Sequence, residues 1–176
     1  MLRMVAAAFL ALAATLAGSV EAQTLDDIAK AEAALDAAWA KAPLAMRQAF
    51  FVDGTPSGFG IYEKRPNSNF KQGEKLVTYA EPVGYGWKGN ADNTYVFGFD
   101  IDLTLKSADG VEIQKKGNFF HLAATSHAKN REFFITLTLD LTGAPVGDYI
   151  VDYTVHDIAS DKSAVISQPF SIVNAR

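Results

Sequence analysis

The feature that most constrains this fold is the alternation of apolar and polar side chains along residues 94–106. A period of two residues is that of a β-strand with one buried face and one face in water, whereas a helix needs a period of 3.6. The run therefore predicts a long strand in an antiparallel sheet. Its apolar positions are Tyr95, Phe97, Phe99, Ile101, Leu103 and Leu105, and the residues between them include Thr94, Gly98, Asp100, Asp102 and Thr104.

The same alternation returns later in the chain, and turn residues separate the segments. Residues 131–141 repeat it, and an inward row is expected at Tyr149, Val151, Tyr153 and Val155. About eight short strands without an intervening βαβ rhythm predict an antiparallel, immunoglobulin-like β-sandwich rather than a parallel sheet. Further strands are expected at residues 45–52, 59–64, 75–80 (closed by Pro82), 111–114, 118–124 and 163–173.

One helix is expected before the strands, over residues 24–41. Thr24 can cap its first turn, where the helix dipole stabilises the negative charge of aspartates. Pro43 ends the helix. Ile28, Leu35 and Trp39 fall on one face at helical spacing. We expect the helix to dock on its own domain through Trp39, and the alternative is that its apolar face holds a partner.

Residues 1–22 have the three parts of a cleavable signal peptide. Arg3 supplies the positive start, residues 5–17 are an uncharged apolar run, and small residues precede a cleavage site after Ala22. A membrane-spanning helix needs about 20 apolar residues, and this run is shorter and rich in alanine. The sequence predicts export to the periplasm or beyond, a helical segment at residues 23–43, a β-sandwich domain at residues 44–176 and no membrane span in the mature chain.

Composition excludes several classes of function. The chain has no cysteine, which excludes disulfides, thiol catalysis and thiolate metal sites. A formal charge of −4 without a basic stripe makes nucleic acid an unexpected partner. With 49% hydrophobic residues, the chain can bury a core without a covalent staple.

Residues 143–157 carry a resemblance to a known fold. A Gly-x-Tyr turn leads into an alternating strand that ends in Asp157, which resembles the penultimate strand of immunoglobulin-like and fibronectin-III-like domains of bacterial envelope proteins. Residues 170–172 are similar to the closing strand, and the turn at residues 72–74 is also typical. The resemblance spans roughly residues 70–173 and implies that the Tyr149 hydroxyl holds a loop. The paired cysteines of antibody domains are absent here.

No motif for catalysis or metal binding is present in the sequence. His121, His127 and His156 lack metal-ligand spacing, and no serine lies in a nucleophile motif. Asp100 and Asp102 share one strand face and could bind calcium or act as acid and base, although a solvated strand face is the simpler interpretation. We therefore predict a protein that is not an enzyme and has no cofactor, with a metal-dependent enzyme of unrecognised class as an alternative.

Aromatic residues in glycine- and proline-bounded segments are the strongest binding candidates. They are Phe59, Tyr62, Tyr85 and Trp87. Exposed rings can stack on sugars, hold a peptide or anchor a protein interface. The sequence thus predicts a binding or protein-interaction module of the cell envelope, whose partner is another envelope protein or a small ligand such as a carbohydrate. The alternative is that these rings fill the open ends of the sandwich.

Overall fold

The computed structural model describes residues 24–174, and the predicted signal peptide lies outside the described residues. In this range a single α-helix is followed by a mainly β structure, as predicted. The elements are α1 (Leu25–Lys41), β1 (Ala45–Gly58), β2 (Ile61–Lys64), β3 (Asn69–Lys71), β4 (Lys75–Val83), β5 (Lys88–Gly89), β6 (Tyr95–Ser107), β7 (Glu112–Ser126), β8 (Ile135–Asp140), β9 (Gly147–Asp157) and β10 (Ser163–Val173).

The helix begins and ends where its capping residues predict. The Thr24 side chain accepts from the backbone N–H of Asp27, and the Asp27 carboxylate accepts from the Thr24 backbone, which completes a capping box. At the other end Ala42 has an extended backbone because it precedes Pro43, and this ends the helix. No helix within residues 24–174 is long and apolar enough to cross a membrane.

The strands form two sheets. The first has four strands in the order β2-β1-β4-β8, and the second has six, with β3-β10-β9-β6 in line and both β5 and β7 paired to β6. All the pairings are antiparallel except that of β3 with β10. The expectation of purely antiparallel sheets was wrong at this point. No local pattern predicts this pairing, because β3 and β10 are far apart in the chain and need no crossover helix between them.

Buried side chains from both sheets and from α1 form one hydrophobic core. The inward rows that alternation predicted for β6, β8 and β9 lie in this core, so the period of two identified the correct face of each strand. Their most buried members are Phe97, Phe99, Ile101, Leu103, Ile135, Leu137, Val151, Tyr153 and Val155.

Two predicted strands are in fact one. Residues 111–114 and 118–124 were expected to be separate strands, but both lie in β7, which pairs with β6 almost throughout. The register shifts between Ile101 and Leu103 because β7 has a bulge there, at residues 117–119. Asn118 has a φ of 49°, in the left-handed region. The bulge breaks the alternation of β7 without ending the strand.

Two other strands run farther than predicted. β1 continues to Gly58 because residues beyond Phe51 leave β4 and pair with β2. β4 continues past Pro82, which lies opposite Met46. Pro82 is tolerated because β8 pairs with β4 only as far as Ala80, so the missing proline N–H is not required by a second neighbour.

Candidate functional site

The structure separates the four predicted binding aromatics into two places. Phe59 and Tyr62 belong to the β1–β2 hairpin at the four-stranded sheet, and both are half-buried. Tyr85 and Trp87 lie between β4 and β5, beside the C-terminal part of α1. The four rings therefore do not form one surface.

Tyr85 and Trp87 contact the helix α1 through its residue Trp39. The Trp39 indole N–H donates to the backbone oxygen of Tyr85 at 2.8 Å. The Trp39 ring meets Tyr85 edge-on at 5.2 Å and stacks on Trp87 at 5.5 Å. The helix thus docks on its own domain through Trp39, as expected.

Tyr85 itself has no exposed surface. Its hydroxyl donates to the backbone oxygen of Asn130 at 2.7 Å, and the Trp87 indole N–H donates to the same oxygen at 3.2 Å. Burial raises the pKa of the Tyr85 phenol well above its ordinary value. In this structure Tyr85 is a core residue whose hydroxyl binds the segment around Asn130, and its ring is shielded from solvent.

Charged side chains complete the docking of α1. Asp36 accepts from Lys129 at 3.1 Å and also from Arg131, and these bonds hold the pKa of the Asp36 carboxyl below its usual range. At the end of the helix, Lys162 donates to three backbone oxygens: those of Ala40 at 3.1 Å, Ala42 at 2.7 Å and Gly84 at 2.7 Å. A cation at this position also complements the helix dipole.

Tyr62 belongs to a second aromatic cluster, on the outer surface of the four-stranded sheet. Its centre is the fully buried ring of Tyr79 on β4. Three half-buried rings surround it, with centroids at 5.6 Å for Phe50, 4.6 Å for Tyr62 and 5.6 Å for Phe134. We call Phe50, Tyr62 and Phe134, together with Tyr79 beneath them, the aromatic face.

Strand register explains how these rings meet. Phe50 on β1 lies directly opposite Tyr79, and Phe134 immediately precedes β8 on the other side of β4. Tyr62 reaches the same place from the β1–β2 hairpin. Cross-strand aromatic neighbours of this kind stabilise a sheet face. Of these residues the sequence singled out only Tyr62, because the others lie in strands whose pairing the sequence does not specify.

A buried carboxylate lies beside the aromatic face. The Tyr79 hydroxyl donates to Glu81 Oε1 at 2.8 Å and accepts from the backbone N–H of Gly60 at 2.8 Å. Glu81 is only 3% exposed, and Arg47 Nη1 lies 4.0 Å from its other oxygen. Burial, reinforced by Glu81, raises the pKa of Tyr79 to about 12. This chain of hydrogen bonds ties the hairpin tip to β4 and so holds Tyr62 over the sheet.

The aromatic face has a polar rim. The Lys64 ammonium lies 4.7 Å from the centre of the Phe50 ring, and the Tyr62 hydroxyl lies 3.4 Å from Gln48 Oε1. Ile61, beside Tyr62 on the hairpin, is 61% exposed. The surface therefore combines partly exposed rings and an aliphatic side chain with amide and charged groups at its border.

Four of the five aspartates and histidines that the sequence singled out, all except His127, form two pairs on the outside of the six-stranded sheet. His121 Nδ1 lies 2.6 Å from Asp100, and His156 Nε2 lies 3.2 Å from Asp102. The Asn118 backbone N–H, at 2.8 Å, lowers the pKa of the Asp102 carboxyl, with a smaller contribution from His156. Within residues 24–174 no three histidine or acidic side chains are arranged to hold a metal ion.

Comparison with known proteins assigns the chain to no family. No protein-family model matches the chain, and no curated protein matches it either.

Proposed function

We propose that this protein is a non-catalytic binding module of the cell envelope that engages another protein through the aromatic face. The observation that carries the proposal is the presence of three partly exposed rings, Phe50, Tyr62 and Phe134, grouped on the outside of a sheet. Rings left partly in water are available to a partner, and aromatic residues dominate the energetics of many protein interfaces.

The rigidity and chemistry of the face support a protein partner. The hydrogen bonds from Gly60 to Tyr79 and from Tyr79 to Glu81 hold the rings in position before binding, which reduces the entropy lost on association. Arg47 and Lys64 lie at the border, and arginine beside aromatic rings is a frequent composition of interface centres. Cavities of about 470 and 430 Å³ lie elsewhere in the molecule, and none of the aromatic-face residues lines them.

An envelope location is part of the proposal. It rests on the signal-peptide pattern of residues 1–22 and on the absence of cysteine, which is compatible with an oxidising compartment. The partner is then a periplasmic, membrane-exposed or secreted protein.

We also propose that the two sheets form an immunoglobulin-like or fibronectin-III-like sandwich. Two observations support this relationship: a core shared by both sheets, and the Tyr149 hydroxyl, which donates to the Pro145 backbone oxygen at 3.0 Å as the resemblance implied. The pair β3–β10 is the parallel exception to the antiparallel pairing of the described strands. A fold of this kind does not specify a ligand, so the function rests on the aromatic face.

Site-specific photocrosslinking in living cells tests the proposed function. A photoreactive amino acid at Phe134 should give one discrete protein adduct, and Tyr62→Ala in the same chain should abolish that adduct. The matched control is the same probe at Val165, which is 59% exposed on the other sheet, in β10. Equal adducts from both positions, or an adduct that survives Tyr62→Ala in a folded protein, would refute the proposal.

A carbohydrate ligand is the second candidate. The observation that favours it is the amide oxygen of Gln48 beside the Tyr62 ring, because sugar recognition combines a stacking ring with a hydrogen-bonding group. Titration with soluble cell-wall glycan fragments, followed by NMR shifts of residues around Tyr62, separates the two. Saturable shifts that disappear in Tyr62→Ala support the sugar, and flat titrations exclude it.

A further inference from the structure

The second half of β7 is an unpaired edge of the six-stranded sheet. Among the described strands β7 pairs with β6 alone, and no backbone hydrogen bond from a described turn or loop ends on residues 119–126. The Leu122 carbonyl lies against β6, since a Cβ at Gly98 would lie 2.0 Å from its oxygen. Backbone groups alternate in direction along a strand, so those of His121 and Ala123 point away from β6. Both of these residues are exposed.

This part of β7 lacks the usual protection of a sheet edge. An unpaired edge is a template for another strand, and proteins protect such edges with lysine, proline, bulges or short strands. Lysines and a bulge protect the first half of β7, at residues 115–119, but residues 120–126 contain no proline and His121 as their one titratable residue. The edge strands β2, β3, β5 and β8 have six residues or fewer. The part of β10 that β3 leaves free contains Pro169.

The inner row of the same segment is incompletely covered. Phe120, Leu122 and Ala124 pack against the hydrophobic core but are only half-buried. Ile101 and Phe99, which lie opposite the first two on β6, have no exposed surface. The difference arises because β6 has neighbours on both sides and β7 has one. A further strand at this edge would bury the row more fully.

The strand that suits this edge is β7 of a second copy. Pairing with any other strand would move the free edge outward to that strand. A two-fold arrangement of β7 with itself uses both edges at once and closes. Because residues that lie opposite each other must share a face of the sheet, the inner rows of the two copies would become continuous.

The side chains of residues 118–126 fit a two-fold axis at Leu122. In that register Phe120 lies opposite Ala124 of the second copy, which places a large ring against a small side chain. His121 lies opposite Ala123, and no two charged groups face each other. An axis at His121 would set two imidazoles directly opposite, and like charges there are destabilising once both are protonated. An axis at Ala123 would set Phe120 against the last residue of the strand.

We propose that this protein forms a dimer in which β7 pairs antiparallel with β7 of a second copy, about a two-fold axis at Leu122. The outward-pointing groups of His121 and Ala123 then exchange backbone hydrogen bonds between the copies. The two six-stranded sheets become one continuous sheet. The aromatic face shares no residue with this edge, so this proposal and the proposed function can fail separately.

Sedimentation equilibrium of the full chain, purified from the compartment in which it accumulates, measures the association. We expect a reversible monomer–dimer equilibrium with a Kd between about 1 μM and 1 mM, as suits a small interface. Ala123→Pro removes an N–H that points away from β6 and should raise the Kd by at least about tenfold. Val165→Pro is the matched control, on the free edge of β10 four residues before Pro169, and should leave the Kd unchanged. Circular dichroism verifies that both variants are folded.

Disulfide trapping tests the register, because the chain has no cysteine of its own. His121→Cys and Ala123→Cys proteins are mixed and oxidised gently. Residues directly opposite are close enough for a disulfide, whereas the diagonal neighbours of an antiparallel pair are about 7–8 Å apart. We therefore expect the mixed dimer to form faster than either dimer of one variant. Val165→Cys mixed with either protein is the control and should give no preferred product.

Three outcomes would overturn the proposal. They are a protein that stays monomeric at 1 mM (about −4 kcal/mol in binding free energy), an unchanged Kd in folded Ala123→Pro, and trapping without preference for the mixed dimer. Loss of the dimer in Val165→Pro but not in Ala123→Pro would move the interface to β10 and also overturn it. If Ala123→Pro does not fold, the trapping experiment decides, because its cysteines lie at exposed positions.

Discussion

The Tyr79 hydroxyl donates a 2.8 Å hydrogen bond to the carboxylate of Glu81, two residues farther along β4. Residues at this spacing lie on the same face of a strand, so both side chains lie on the outer surface of the four-stranded sheet. Both are nearly inaccessible to solvent. Because the Glu81 carboxylate is buried, the hydrogen bond from the Tyr79 hydroxyl is important for the stability of the fold.

Tyr79→Phe removes this donor and leaves the Glu81 carboxylate without it. We expect the free energy of unfolding to fall by about 1.5–3 kcal/mol, the usual range for a hydrogen bond to a charged group. Urea unfolding at neutral pH measures the change. Tyr62→Phe is the matched control, because its hydroxyl bond is long and exposed, and it should change stability by less than about 0.5 kcal/mol. Equal effects of the two variants would contradict this prediction.

The buried tyrosines should make the protein sensitive to alkali. Burial raises the pKa of Tyr79 to about 12, and it also raises the pKa of Tyr85 and Tyr153. Above pH 10 the unfolded chain loses phenolic protons that the folded protein keeps. Stability from these groups is therefore complete below about pH 10 and falls as the pH rises toward 12.

Absorbance at 295 nm during a pH titration measures this effect. The tyrosinate signal of the folded protein should lack the contribution of three of the six tyrosines until unfolding begins. Full ionisation of all six while circular dichroism still reports a folded protein would count against the burial of these rings.

Lys162→Met should loosen the docking of α1. The ammonium group donates to the backbone oxygens of Ala40, Ala42 and Gly84, and methionine preserves much of the length without the donors. We expect a loss of about 1–3 kcal/mol in helix docking, seen as faster hydrogen exchange of the helix amides and altered tryptophan fluorescence. Lys41→Met, at the same helix end, is the control and should leave both signals nearly unchanged.

Gly98→Ala should disrupt the pairing of β6 with β7. A Cβ at Gly98 would lie 2.0 Å from the backbone oxygen of Leu122 and 2.8 Å from Ala123 Cα, and neither backbone atom can move without shifting the strand. We expect a loss of about 3 kcal/mol or failure to fold. Gly89→Ala is the control, because a Cβ there meets nothing within 4 Å. Thermal melts compare the two, and similar melting temperatures would contradict this packing.

Local patterns predicted the elements well where one physical signal dominated. Thr24 and Pro43 delimited α1 to within a residue, because capping and proline geometry act over a few residues. The alternation of residues 94–106 located β6 and its inward face, because burial on one side leaves a period of two. The predicted bounds of the last strand, residues 163–173, agree with β10.

Predictions were less accurate where pairing between distant segments overrides local pattern. Gly117 and Asn118 looked like a break and are part of a bulge within β7, because β6 continues alongside. Residues 131–134 were assigned to a strand, yet β8 begins only at Ile135, and Arg131 binds Asp36 of the helix instead. The short strands β3 and β5 have too few residues to show any period.

By itself, the sequence determined the helix, the main strands and which of their faces are buried, because those features follow from side-chain chemistry at neighbouring positions. Only the tertiary structure decided which aromatic rings meet. It buried Tyr85 beneath Trp39, although its glycine neighbours suggested exposure. It joined Tyr62 to Tyr79 through the register of β1, β2 and β4, and the physical reason is that strand pairing depends on contacts between residues far apart in the chain.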